Sequence, residues 1–276
     1  MTQPSFTRTR LRSLLLCACA AASAAAIALP ANAADASLAD RVMQLTRGTK
    51  WKKVDEIAVR FDTFHPQGMV KIGDDFYVSS VEITKATTRY AAPVDGYDRD
   101  TGAGQGHLFR ISAKGDLLGD LKLGEGSMFH PGGIDYDGTS IWVPAAEYRP
   151  NSRSIIYRVD PKAMRAEKVF EYGDHIGGLV HDTDANVLHG VSWGSRRFYA
   201  WPLDKEGKPT NAEVKPADLR VTNPAQYIDY QDCKYAPPNR MLCSGLNAYR
   251  PAPDAAVFRL GGFELINLKD NRPIWQ

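Results

Sequence analysis

Short apolar runs separated by turn residues recur along most of the chain. The clearest examples lie in two similar stretches, FHPQGMVKIGDDFYVSSVEI at 64–83 and FHPGGIDYDGTSIWVPAAEY at 129–148. Apolar runs of this length, bounded by Gly, Asp and Asn, are typical of β-strands joined by tight turns. Only residues 35–45 have a helical pattern, and that pattern is weak. From the second stretch onward, strands are predicted near 133–136, 141–145, 155–160 and 167–172.

The same order of residues begins four successive units. Their anchor residues are His65, His130, His175 and Gln226, roughly 45–65 residues apart. Repeats of this length, each holding four short strands, are typical of propeller blades. We therefore predict an all-β chain: a β-propeller with four recognisable four-stranded blades, formed by residues 34–276 as a single domain.

The motif P-x-G-I followed by D-G and I-W-V, at 131–143, carries a resemblance to known propellers. It resembles NHL-repeat propellers and the gluconolactonase, strictosidine-synthase and paraoxonase-like group. As a whole, residues 51–276 look most like an uncharacterised family of exported bacterial propellers. The resembled group usually has five or six blades, so two alternatives stay open: a ring of four blades, or a larger ring that is incomplete at the C-terminus.

We favour the incomplete larger ring. The last unit reaches Gln276 within its expected outer strand. A strand predicted at 54–61 precedes the first unit and is placed to complete the last blade. The longer first interval is explained by an insertion at 85–106, which we expect to be mobile and to lie over the channel mouth.

Polar residues recur where the first two strands of each unit would meet at the channel. Folding each hairpin about its turn predicts four contacts: His65 opposite Glu82, His130 next to Glu147, His175 near Trp193, and Asp229 opposite Asn247. We expect these polar residues to surround one mouth of the channel as ligand-binding residues, with Arg149 and Arg250 close by.

This ring of residues is suited to several kinds of ligand. Imidazoles and carboxylates suit zinc or another transition metal, and carboxylates with amide oxygens suit calcium. The arginines suit an anionic ligand. The divalent-metal set that we single out is His65, His130, Glu82 and Glu147. The alternative is structural: a residue repeated in each blade can tie neighbouring blades together by hydrogen bonds.

The residues do not name a reaction. They favour a protein that binds a small ligand or a metal at the channel mouth. The resemblance to the gluconolactonase and paraoxonase-like group implies instead a metal-dependent lactone or ester hydrolase. That group binds its metal through Glu, Asn and Asp, and the matching residue types here are Glu82, Glu147, Asp229 and Asn247. A protein-interaction scaffold is the third hypothesis.

The N-terminus is typical of a secretory signal peptide. Arg8, Arg10 and Arg12 precede an apolar run at 14–29 and the small-residue pattern Ala31-Asn32-Ala33. We expect a signal peptide at 1–33 and a periplasmic or secreted product; an uncleaved anchor helix is the alternative.

Two cysteines remain after such cleavage. In an exported chain, Cys233 and Cys243 predict a disulfide across a hairpin centred near Pro238, with two free thiols as the alternative.

Charge limits the partners. The chain has 34 Lys and Arg against 32 Asp and Glu, and without the three leader arginines the two counts are nearly equal. The basic residues do not cluster, whereas a nucleic-acid surface needs clustered basic charge. We expect a small-molecule partner, no nucleic acid, no membrane after cleavage, and a monomer.

Overall fold

Four antiparallel sheets form the blades of a four-bladed β-propeller in the computed structural model, which describes residues 37–276. The all-β prediction with four four-stranded blades is confirmed. The signal peptide and the first residues of the predicted helix lie outside the described residues. The strands predicted in the second unit are present with small shifts in their bounds.

The first two blades hold the strands up to residue 172. Blade 1 consists of β1 (His65–Ile72), β2 (Asp75–Lys85), β5 (Ala103–Ile111) and β6 (Leu117–Leu123), with the insertion forming a separate hairpin of β3 (Arg89–Val94) and β4 (Tyr97–Arg99). Blade 2 consists of an inner strand in two pieces, β7 (Met128–Pro131) and β8 (Asp135–Tyr136), followed by β9 (Ile141–Glu147), β10 (Ser154–Asp160) and β11 (Arg165–Tyr172).

The other two blades hold the remaining strands. Blade 3 consists of β12 (Ile176–Asp182), β13 (Val187–Ser192), β14 (Arg197–Pro202) and β15 (Val221–Thr222), with a 3-10 helix at Trp193–Ser195 and α2 at Pro216–Leu219. Blade 4 consists of β16 (Asp229–Tyr235), β17 (Arg240–Tyr249), β18 (Phe258–Asn267) and β19 (Arg272–Trp275). Helix α1 (Leu38–Val42) lies within the predicted helical segment.

Two expectations about ring closure are wrong. Blade 4 has its own outer strand, because β19 pairs with β18 from Arg272 to Trp275. Residues 54–61 form no strand. The larger incomplete ring that we favoured is therefore replaced by four blades, and neither the first nor the last blade borrows a strand from the other.

Apolar side chains fill three of the four spaces between neighbouring blades. One buried cluster joins blades 1 and 2, a second joins blades 2 and 3, and a third joins blades 3 and 4. In the second cluster, Trp142 from blade 2 and Trp201 from blade 3 are almost fully buried. Alternate residues of β9 are divided between two clusters, since Ile141 and Val143 pack toward blade 1 and Trp142 packs toward blade 3.

The junction between blades 4 and 1 is built differently. Among residues 37–276, no buried apolar cluster joins these two blades. The segment 37–64, which we call the strap, instead contacts both: Ala39 of α1 is buried against Leu265 of blade 4, and Phe61 packs edge-on against Phe109 of blade 1 with ring centroids 5.2 Å apart.

Cys233 and Cys243 are directly paired across β16 and β17 and form a disulfide. The prediction of this bond is confirmed, and it staples the two innermost strands of blade 4. Within the part of the chain that the structure describes, no helix is long and apolar enough to span a membrane.

Candidate functional site

Each blade places a polar residue at the same point of its inner strand. These residues are His65 in HPQG, His130 in HPGG, His175 in HIGG and Asp229 in DYQD. We call these four residues the mouth ring. The sequence alignment of the fourth unit on Gln226 is wrong, because Asp229 begins β16 just as His65 begins β1.

A β-bulge follows the mouth-ring position in three blades. The pairing shifts between Pro66 and Gly68, between Ile176 and Gly178, and between Tyr230 and Asp232. Each bulge inserts one extra residue into the inner strand. In blade 2 the shift comes earlier, between Met128 and His130.

The shifts correct three predicted hairpin contacts. His65 pairs with Val81, His130 with Ala146, and Asp229 with Leu246. Because alternate residues of a strand point to opposite faces, a register one residue away moves a side chain to the other face. The contact of His175 with Trp193 is present, with ring centroids 4.8 Å apart.

The mouth ring surrounds a cavity of about 240 Å³. The other lining residues come from the bulges, from the loop after β9 and from the 3-10 helix of blade 3. They are Gln67, Gly132, Tyr148, Gly177, Ser192, Trp193, Gly194, Tyr230 and Gln231. The lining contains no Lys or Arg side chain. The cavity lies below the usual size of drug-sized ligand pockets, so it suits a smaller molecule.

His130 is one of the two buried imidazoles of the ring, together with His175. The pKa of His130 is lowered to about 3, chiefly by burial and in smaller part by the neighbouring His175 and His65. The Tyr148 ring stacks on His130 with centroids 4.2 Å apart. The Nε2 atom of His130 is buried and has no hydrogen-bond partner. His130 is therefore a neutral ring with one unused polar atom.

His175 has one ring nitrogen engaged and one free. Its Nδ1 lies 2.8 Å from the backbone oxygen of Glu147. A carbonyl only accepts, so Nδ1 carries the proton and donates. Burial lowers the pKa of His175 to about 4, so the ring is neutral near pH 7 and its Nε2 is an acceptor. This Nε2 is the heavy atom nearest to the side-chain position of Gly177, at 3.6 Å.

Asp229 completes the ring with a carboxylate. Arg196 from the loop after the 3-10 helix forms an ion pair with its Oδ1 atom. Burial raises the pKa of Asp229, and the charge of Arg196 acts against that rise. The Oδ2 atom faces Gly194, a lining residue. The fourth position of the ring therefore also presents an acceptor.

Glu147 and Arg149, two other predicted site residues, do not line this cavity. Glu147 accepts hydrogen bonds from Ser127, Arg149 and Arg153. Burial raises the pKa of Glu147, but these three bonds outweigh it and hold the pKa below its ordinary value. The Arg149 guanidinium is thereby committed to Glu147 rather than to a ligand.

The remaining predicted residues also have other contacts. Glu82 lies 3.9 Å from Nε2 of His107, Asn247 donates to the backbone oxygen of Gln226, and Arg250 donates to that of Pro253. Among residues 37–276, no group of three or more His, Cys, Asp or Glu side chains is arranged to hold a metal ion. The structure does not bring together His65, His130, Glu82 and Glu147 as one metal set.

The insertion reaches the rim of the cavity. The Arg149 guanidinium lies 3.4 Å from the centroid of the Tyr97 ring, and the Arg99 guanidinium lies 5.3 Å from that of Trp193. Asp98 binds Arg99 through both carboxylate oxygens. The β3–β4 hairpin of blade 1 thus lies against the rim residues of blades 2 and 3.

Sequence reasoning missed Gln67, Gln231 and Tyr148. Both glutamines stand two residues after a mouth-ring residue, in units one and four, and that shared offset was a readable signal. Tyr148 is the next residue after the predicted Glu147. A bulge assumed after each mouth-ring residue would have pointed to the two glutamines.

The chain belongs to the family described as "Family of unknown function (DUF6454)", which matches residues 24–276. No curated protein matches the chain. The solved structures similar to it include hydrazine synthase from Kuenenia stuttgartiensis, at 12% identity and a TM-score of 0.42, covering 81% of this chain and 52% of that chain. The chain therefore spans about half the length of that protein.

Two other similar structures have different origins. The β-propeller domain of the Trilobed protease from Pyrococcus furiosus is 12% identical with a TM-score of 0.35, covering 74% of this chain and 55% of that chain. The computationally designed Ika4 protein is 7% identical with a TM-score of 0.38, covering 76% and 99%. Similarities at this level concern the general fold and do not extend to the cavity.

Proposed function

We propose that this member of a family of unknown function binds a small ligand at the mouth of its channel, in the cavity that the mouth ring surrounds. The observation that supports the proposal most is the unused Nε2 of His130. A buried polar atom without a partner costs roughly 1–3 kcal/mol. Other buried atoms without a partner, such as Nε1 of Trp201, lie where blades pack together, whereas His130 lines the cavity.

The structural alternative explains one of the two ring nitrogens of His175. Its Nδ1–H joins blade 3 to the backbone of blade 2, as a residue that ties blades together would. Its Nε2 is left facing the Gly177 side of the cavity, which a blade tie does not require. The two roles are therefore compatible in one residue: the bond to blade 2 fixes the ring, and the fixed ring presents Nε2.

We do not extend the proposal to metal-dependent hydrolysis. Of the four residues that the resemblance to the gluconolactonase group pointed to, Asp229 lines the cavity, whereas Glu82, Glu147 and Asn247 do not. Glu147 is already bonded to two arginines and a serine. The residues present thus fit a binding site for a small polar molecule better than a metal centre.

We also propose that the protein works outside the cytoplasm. The basic start, the apolar run and Ala31-Asn32-Ala33 support export, and the Cys233–Cys243 disulfide is compatible with an oxidising compartment. Cell fractionation followed by N-terminal sequencing tests this. Export predicts a product that begins at Ala34; an uncleaved product in the cytoplasm would contradict it.

A ligand screen with two matched histidine variants tests the binding proposal. The purified protein is screened by thermal shift against sugars, amines and carboxylic acids, and hits are measured on His130→Gln and His189→Gln. His189 is also buried, with its pKa lowered to about 4 by burial, but it does not line the cavity. It is therefore the control for losing a buried imidazole.

The proposal expects binding to fall at least about tenfold in His130→Gln and to stay unchanged in His189→Gln. The unfolding free energy of His130→Gln should stay within about 1 kcal/mol of the unmodified chain, since Gln keeps a hydrogen-bonding group. Lost stability with intact binding would instead assign His130 to blade packing.

A further inference from the structure

His175 and Asp229 present hydrogen-bond acceptors to the cavity, whereas an anion would need donors or positive charge. His175 presents an acceptor nitrogen, because its only N–H is used on the oxygen of Glu147. Asp229 presents a carboxylate oxygen. The lining contributes no Lys or Arg side chain, which are the groups that usually hold carboxylates and phosphates.

The nearby arginines do not change this picture. Arg196 is paired with Asp229, Arg149 with Glu147, and Arg99 with Asp98. Each guanidinium therefore already has a carboxylate partner. An anion entering the cavity would meet the negative oxygen of Asp229 without a free cation to compensate, which carries an electrostatic cost in a partly buried site.

We infer that the ligand is a small, non-anionic molecule that presents hydrogen-bond donors, such as hydroxyl or ammonium groups, to His175 Nε2 and to the Asp229 carboxylate. This inference rests on the proposed function and narrows it to a ligand class. It reverses the sequence-based expectation of an anionic ligand held by Arg149 and Arg250. The amides of Gln67 and Gln231 supply both donors and acceptors, so they accept either orientation of a hydroxyl.

Two aromatic side chains that line the cavity are consistent with such a molecule. Tyr148 and Trp193 line the cavity with ring centroids 5.7 Å apart, and each also contacts one imidazole of the mouth ring. Aromatic walls bury the C–H faces of a polyhydroxy compound or the methylene groups of an amine. An uncharged polyhydroxy compound and a cationic amine both present hydrogen-bond donors, and the following experiment distinguishes between them.

Three pyranoses of matched ring shape separate the possibilities: glucose is uncharged, glucosamine is cationic near neutral pH and glucuronate is anionic. Binding is followed near pH 7 at millimolar concentrations by the histidine ring signals in NMR. The chain has six histidines, of which His65, His130 and His175 line the cavity. The remaining three report any effect away from the mouth.

The inference expects glucose or glucosamine to shift the mouth histidines and to bind at least about tenfold more tightly than glucuronate. A preference for glucose identifies the uncharged class, and one for glucosamine the cationic class. Glucuronate binding most tightly at the mouth would overturn the ligand class while leaving the proposed site intact. If none of the three probes shifts the mouth histidines, the ligand class is overturned together with the proposed site.

Two variants link the effect to His175 Nε2. His175→Phe keeps a ring of similar shape and removes the acceptor, while Gly177→Ala leaves His175 unchanged and adds a methyl group about 3.6 Å from Nε2. Both should weaken the preferred pyranose at least about tenfold, and His189→Gln should not. Full affinity in a folded Gly177→Ala variant would remove His175 Nε2 from the contact and contradict the inference.

Discussion

Each inner strand contributes one residue to a ring at the mouth of the channel and, three positions later, one residue to a ring at the axis. The two rings differ in how completely their polar atoms are hydrogen-bonded. The mouth ring of His65, His130, His175 and Asp229 leaves polar atoms unused around an open cavity. The axis ring consists of Gly68, Gly133, Gly178 and Asp232. At the axis, the one side chain with polar atoms has both of its oxygens bonded.

Asp232 shows how complete that bonding is. Its Oδ2 atom accepts from the backbone N–H of Met69 in blade 1, and Oδ1 accepts from that of Ile134 in blade 2, each at 3.0 Å. Lys234 lies 2.7 Å from Oδ1. The first strand of blade 1 is therefore tied to blade 4 by a carboxylate, at the junction that lacks a buried apolar cluster.

The comparison shows two reasons why a residue type recurs from blade to blade. Gly68 and Gly133 are needed because an added side chain would meet backbone or Asp232 atoms at 2.6–2.9 Å. That is a packing requirement of blades 1 and 2; at Gly178 the nearest atom would be a Val191 methyl group at 3.3 Å, and blade 4 places Asp232 at this position. The mouth-ring residues also recur from blade to blade, but they keep polar atoms that have no hydrogen-bond partner. Such atoms in a cavity are available to bind a ligand.

The largest effect is expected from Asp232→Ala. It removes the acceptor of two backbone N–H groups on two other blades and the partner of Lys234, so we expect a loss of about 3 kcal/mol in the free energy of unfolding. Urea unfolding measures it. Asp232→Asn should lose less, because its amide oxygen still accepts; a loss below about 1 kcal/mol in the Ala variant would contradict the role of Asp232 in closing the ring.

A pair of glycine variants compares the two rings directly. Gly133→Ala places a methyl group 2.6 Å from the backbone oxygen of Gln231 and should cost about 1–3 kcal/mol. Gly177→Ala, at the mouth, meets its nearest heavy atom only at 3.6 Å and should stay within about 0.5 kcal/mol of the unmodified chain. Equal unfolding midpoints for the two variants would mean that the axis is no more crowded than the mouth.

The pH dependence of stability sharpens the account of the mouth. Burial lowers the pKa of His130 to about 3, against 6.5 in the unfolded chain. Between these values the unfolded chain binds a proton that the folded chain does not. The stability contributed by neutral His130 is therefore complete above pH 6.5 and is lost as the pH falls toward 3.

His130→Gln removes the imidazole that binds this proton in the unfolded chain. From pH 6 down to pH 4, the unmodified chain should lose about 1.4 kcal/mol more per pH unit than the variant, measured by urea unfolding at each pH. Parallel pH profiles for His130→Gln and the unmodified chain would show that His130 titrates normally.

A small effect on stability is expected at the insertion, whose side chains lie against rim residues of the cavity. Arg99→Ala and Tyr97→Ala remove cation–π contacts to Trp193 and Arg149, and each should change the unfolding free energy by less than about 1 kcal/mol. Native proteolysis should cut the segment 85–106 first, and faster in both variants. A segment that resists protease in the unmodified chain and in both variants would contradict the expected mobility.

The repeat was enough to predict the blades, because strand length, turn residues and unit spacing follow from local pattern. Ring closure was not predictable in the same way. The strap docks through Ala39 on blade 4 and Phe61 on blade 1, and such contacts between distant segments leave no periodic trace. Blade number depends on how far each blade turns from the next, which no single unit encodes.

The candidate site was predictable as a set of anchor residues but not as a set of contacts. The three histidines were chosen from the repeat and Asp229 from the predicted hairpin of the fourth unit, and the structure places all four around one cavity. Three of the four expected partners were wrong by one residue because the inner strands depart from regular pairing near the mouth-ring residues, and hydrophobic alternation does not report such a departure.

The protonation state of the mouth histidines tests the central claim most directly. Long-range ¹H–¹⁵N NMR of the imidazole rings reports charge and tautomer for each histidine near pH 7. The account predicts that His130 and His175 are neutral, that His175 carries its proton on Nδ1, and that both stay neutral down to about pH 5. Rings that are charged near pH 6.5, or a His175 protonated on Nε2, would contradict it, because the acceptors that the cavity offers a ligand would then be absent.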